Sequence, residues 1–126
     1  MTKSEIEKTI QEMWFHVDYA VGDWVETCAW MPGIVQSIKI GYDEKQHYFY
    51  DTVEIFYPHY ALNPKYYPYK GGSCCGVTSC GVHKITPEYA CKLMTIGDEK
   101  LRELWNAEET KDTPWEKVVE EYYNKL

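Results

Sequence analysis

A chain of 126 residues, 44% hydrophobic and 16% aromatic, has enough apolar side chain to fold around one modest core and too much to remain disordered. Its formal net charge is −7, and Arg102 is its single arginine; this argues against sequence-independent nucleic-acid binding, which depends on lysine and arginine against phosphate. Residues 1–30 and 97–126 each carry a net −4 around a near-neutral middle, so a protein partner with a basic surface is the better electrostatic match.

No run approaches the ~20 apolar residues of a membrane span. The opening Met1-Thr2-Lys3-Ser4-Glu5-Ile6 lacks the basic-then-apolar order of a secretory signal. The expectation is a cytoplasmic protein with no membrane partner, folded as one domain over 1–126. In that compartment five cysteines, an odd number, read as thiols or metal ligands rather than a disulfide framework.

An N-terminal helix is predicted within 1–17. Ile6, Ile10, Met13 and Trp14 recur at helical spacing, and Ser4 with Glu7 suits a capping box. Trp24 to Trp30 reads as the first strand, and Met31-Pro32-Gly33 breaks it. Ile34 to Ile40 is the second strand, with Ile34, Ile38 and Ile40 on one face. After a polar hairpin tip, His47 to Tyr57 returns as the third, with Val53, Ile55 and Tyr57 sharing a face. Residues 58–79, broken by Pro58, Pro64, Pro68 and Gly71-Gly72, read as an inserted loop of functional length. Cys80 to Ile85 is a short strand, Thr86-Pro87-Glu88-Tyr89 one helical turn, and Ala90 to Ile96 a final strand. One or two helices follow in 97–126. Leu101, Leu104 and Trp105 face one way, as do Trp115, Val118, Val119 and Tyr122; Thr113 and Pro114 open the last helix. These stripes pack on the barrel or form a homo-oligomer face.

Gly22-Asp23-Trp24-Val25, Gly33-Ile34-Val35, Val53-Glu54-Ile55 and the closure from Ile85 to Met94 resemble the SH3-like barrel superfamily, including its KOW and Tudor-like modules. The resemblance covers about residues 20–96. It implies a mainly β, α+β fold: a five-stranded barrel with an N-terminal helix and C-terminal helices. It also implies a bias toward binding, without a substrate. The basic residues of the KOW pattern around the first turn are missing, which speaks against a KOW-like nucleic-acid binder.

Two constellations carry candidate chemistry. Eight of the twelve tyrosines lie between Tyr42 and Tyr69. Among them Tyr57, Tyr60, Tyr66, Tyr67 and Tyr69 are the candidate anchors of a non-catalytic protein-recognition surface, since aromatic side chains dominate interface energetics. Small acidic phage-encoded inhibitors of nucleic-acid-binding host machinery, such as CRISPR effectors, share this profile. The second constellation is the cysteine segment. Cys75, Cys80, His83 and Cys91 offer a candidate zinc set, with Cys74 or Cys28 as substitutes, although no two-residue gap separates two cysteines. The same segment, 74–91, allows a cysteine nucleophile beside His83 or His59. Gly71-Gly72-Ser73 follows Lys70, the wrong order for a phosphate loop.

Overall fold

The structure is a computed structural model; it describes residues 1–63, 65, 72–74 and 81–126, with backbone alone at 72–74. Helix α1 spans Lys3–Trp14, with Thr2 rather than Ser4 as its cap. The Thr2 hydroxyl accepts the Glu5 N–H at 3.2 Å, so the Thr-x-x-Glu spacing two residues earlier supplies the acceptor that a helix start needs. Three strands follow: β1 (Trp24–Glu26), β2 (Gly33–Asp43) and β3 (Tyr48–Phe56).

Strands β2 and β3 form the long hairpin of the sheet, pairing from Ile34 opposite Phe56 to Asp43 opposite Tyr48. Val53 and Ile55 are buried on its inner face, followed by Tyr57, as period-two alternation requires. The corresponding face of β2 differs from expectation. A bulge between Val35 and Ser37 shifts the register, and one extra residue reverses the side-chain parity beyond it. Val35 therefore shares the core face with Ile38 and Ile40, and Ile34 falls on the other side. Gly33 permits the closest approach: a Cβ there would lie 2.2 Å from Ile55 Cγ2.

The described parts of the 58–79 segment contain two regular elements. Pro58 opens a single-turn helix, α2 (Pro58–Ala61), and Gly72–Cys74 forms β4, paired with β3. On the other side, β5 (His83–Lys84) pairs with β1. The sheet is antiparallel, in the order β4-β3-β2-β1-β5. No pairing joins β4 to β5 among the described residues, so the sheet is open and closure into a five-stranded barrel is not shown.

The expected final strand at 90–96 is a helix. Thr86 caps it by accepting the Tyr89 N–H at 3.1 Å, Pro87 occupies its first turn, and α3 runs from Pro87 to Ile96. Tyr89, Ala90 and Leu93 are its buried residues; the four-residue step from Tyr89 to Leu93 is helical, and no strand could bury that set against one surface. Gly97, at φ 90°, ends α3 and begins α4 (Asp98–Asn106). A 3-10 turn at Glu108–Thr110 leads to α5 (Trp115–Asn124). The architecture is thus mixed α+β.

Two apolar clusters hold it together. The first lies on the sheet: Tyr19, Val25, Val35, Val53, Ile55, Tyr57 and Val82. The second joins Met31 to α3, α4 and α5 through Tyr89, Leu93, Leu101 and Val119. Half-buried Tyr60 packs against both. Leu101 is 0% exposed, so Leu101→Ala should cost about 2–5 kcal/mol through lost burial and the cavity left behind, read as a lower urea midpoint. Gly97→Ala isolates backbone strain, because an added Cβ meets nothing within 4 Å at φ +90°. That substitution should cost about 1–3 kcal/mol in the same assay.

Candidate functional site

Strand β1 stops earlier than Trp30 because Thr27 diverts the chain. Its hydroxyl accepts the Ala29 N–H at 3.0 Å and lies 2.8 Å from the Tyr57 hydroxyl. The turn leaves Cys28 exposed, buries Met31 among the helices and sets Trp30 half-buried between them. Trp30 meets Trp105 from α4 and Trp115 from α5. The ring centroids are 5.9 Å (Trp30–Trp105), 6.3 Å (Trp30–Trp115) and 5.2 Å (Trp105–Trp115) apart, each pair near perpendicular. Such pairs add about 0.5–1.5 kcal/mol each beyond burial. Trp105 nevertheless remains 57% exposed, an unusual state for a large apolar ring beside a core.

These indoles wall a groove of about 1040 Å³ that also takes in Asp18, Glu26, His83, Tyr89 and Glu116. Glu26 ends β1 opposite His83. His83 Nε2 lies 3.1 Å from Glu26 Oε2, and Nδ1 lies 3.0 Å from the Gly81 carbonyl oxygen, so both ring nitrogens are engaged. Burial pushes the Glu26 carboxyl above its ordinary range, and the nearby Glu116 charge adds to that. His83 and a hydrogen bond with the Trp115 side chain act the other way. Burial also pushes the Tyr89 phenol well up, reinforced by Glu26, Glu116 and Glu120, so the phenol stays neutral. Lys84 lies at the groove but pairs with Asp23 at 3.5 Å. Several carboxylates thus face an aromatic cleft whose own cationic side chains are engaged.

Of the anchors and ligands expected from sequence, His83 lies at the groove, while the others fall elsewhere or outside the described residues. Tyr57 belongs to the sheet core at 6% exposure, where it cannot meet a partner; its hydroxyl is taken up by Thr27. Tyr60 is half-buried between the clusters. Tyr66, Tyr67, Tyr69, Cys75 and Cys80 lie outside the described residues. His83 is at the groove, whereas Cys91 is exposed on α3. Among the described residues no group of three or more His, Cys, Asp or Glu could hold a metal ion, and no helix is long and apolar enough to cross a membrane. Sequence reasoning missed the groove itself. Trp105 and Trp115 were legible as helix stripes and Trp30 as a strand end, but nothing in their spacing announces that they meet. No protein-family model, curated protein or solved structure matches this chain, so the geometry carries the functional argument alone.

The perturbed Glu26 has a measurable consequence. With its folded-state pKa above the ordinary 4.5, the folded protein binds more protons than the unfolded chain between those two values. Stability contributed at low pH is therefore lost as pH rises through that window. Glu26→Gln removes the loss. The melting-temperature difference, variant minus wild type, should grow between about pH 4 and pH 7 in scanning calorimetry; a difference independent of pH would show that Glu26 is not strained.

Proposed function

We propose that this protein is a non-catalytic recognition module that holds a basic segment of another protein in the groove walled by Trp30, Trp105 and Trp115. The observation that carries this reading is the half-exposed Trp105 indole in a cleft shared with Glu26 and Glu116. Indole faces attract cations through the ring quadrupole, and carboxylates beside them supply the opposing charge. A cleft of about 1040 Å³ exceeds one side chain and suits a few residues of an extended chain. The net −4 of residues 97–126, which supply α4 and α5, would steer a basic partner toward this face and turn away acidic ones.

Tryptophan fluorescence during titration with a nonapeptide of alternating lysine, arginine and glycine tests the reading. Binding should weaken as salt is added, and an aspartate-rich counterpart should not bind. Trp105→Ala should lower affinity about 30-fold, the scale of an interface hot spot, while the circular dichroism spectrum is kept because the ring is largely exposed. Equal binding of the acidic peptide, or an unaffected W105A variant, would overturn it.

A further inference from the structure

Within the groove, one hydroxyl is left open by the fold. Tyr89 is a groove-lining residue only 9% exposed. Its backbone N–H is committed to the Thr86 hydroxyl at 3.1 Å, yet its own hydroxyl has no hydrogen-bond partner among the described residues. The ring is buried but its hydroxyl opens on the groove, where water satisfies it until a ligand takes the water's place. Around it stand Glu26 and Glu116, close enough that each raises the cost of ionising the phenol. The cations of the neighbouring elements are committed: Lys84 to Asp23 at 3.5 Å and Lys92 to Glu120 at 2.7 Å. The site therefore presents two carboxylates and a neutral hydroxyl, all able to accept, beside the flat faces of indole rings.

We propose that the groove is an arginine subsite: a guanidinium of the partner lies against the tryptophans and donates to Glu26, Glu116 and the Tyr89 hydroxyl. This rests on the reading of the groove as the seat of a basic segment, and it names the side chain that is read. The argument is one of donor number and hydration. Guanidinium carries five N–H donors in a fixed plane, stacks on aromatic faces and is weakly hydrated. A lysine ammonium is a strongly hydrated point charge with three donors. Only the planar cation can lie flat on an indole while reaching acceptors that come from β1, α3 and α5 at once. An ammonium seated on Glu26 is a point charge that does not span to the Tyr89 hydroxyl as well, and would lose its own water over apolar rings.

The test is isothermal titration of the full chain with three nonapeptides, identical except for a central arginine, lysine or citrulline, each with one lysine at either end. The arginine peptide should bind about tenfold or more tighter than the lysine peptide. Citrulline, which has nearly the same shape without the charge, should bind weakest. Tyr89→Phe keeps the ring and removes the hydroxyl. It should weaken the arginine peptide about 5- to 10-fold and the lysine peptide much less, a loss of preference that a merely structural role would not produce. Arginine and lysine peptides binding within twofold of each other would overturn the arginine assignment and leave the basic-segment reading standing. The same holds if Y89F weakens both equally. Binding by none of the three would remove both. The wild-type comparison decides the matter even if Y89F fails to fold.

Discussion

The groove depends on a two-residue strand pairing. Val25 lies opposite Lys84 and Glu26 opposite His83, and the Ile85 N–H donates to the Trp24 carbonyl at 3.0 Å. This short ladder draws Val82 into the sheet core beside Val25 and sets the point from which α3 departs. Thr86 and Pro87 start the helix at once, so the direction in which α3 leaves follows from where β5 is pinned. Helices α4 and α5 pack on α3 through Leu93, Leu101 and Val119 and bring Trp105 and Trp115 to the end of β1. Sheet and helices are thereby linked through this short ladder, and also through Tyr60, which packs against both clusters.

That arrangement sets a carboxylate where solvation is poor. Glu26 is favoured by the His83 ring and the Trp115 side chain but disfavoured by burial and by Glu116. An apolar residue of similar volume would avoid the cost of taking a charge out of water. Strained ionisable groups cluster at sites that bind or react, and here the strain coincides with an exposed indole and a buried phenol. Each of the three features has a local structural cause. The β1–β5 ladder and the packing of α4 and α5 on α3 bring them into one cleft.

The sequence made the regular parts legible and concealed those set by tertiary contact. Alternation in β3 exposed Val53, Ile55 and Tyr57 as one face because a two-period pattern needs no partner to be read. In β2 the bulge after Val35 has no local signal, so simple alternation puts Ile34 on the wrong side. Thr86-Pro87 announced a helix start, yet the stretch from Ala90 to Ile96 carries both helix formers and β-branched residues, and only packing of Leu93 against Leu101 and Val119 decides its state. At the site, tyrosine density drew attention to residues 57–69, and Tyr57 serves the core. The tryptophans that meet across the groove are separated by 75 residues between Trp30 and Trp105, a juxtaposition that periodicity cannot reveal. Of the cysteine segment, the described residues place His83 beside Glu26 and Cys91 exposed on α3; Cys75 and Cys80 lie outside them.

The helical stripes at the C-terminus show how much surface is left for a partner. On α4, Leu101 is 0% exposed while Trp105, one turn later on the same face, is 57% exposed. On α5, Val118 and Val119 are buried. The apolar faces expected either to pack on the sheet or to join copies of the chain are thus largely consumed within the chain, and the core gives out at Trp105. One indole is far less than the ~800 Å² per partner that a stable dimer interface buries. A cleft fits that remainder better than a flat contact does: an inserted side chain gains from ring face, carboxylate and phenol together, without an extended apolar surface around them.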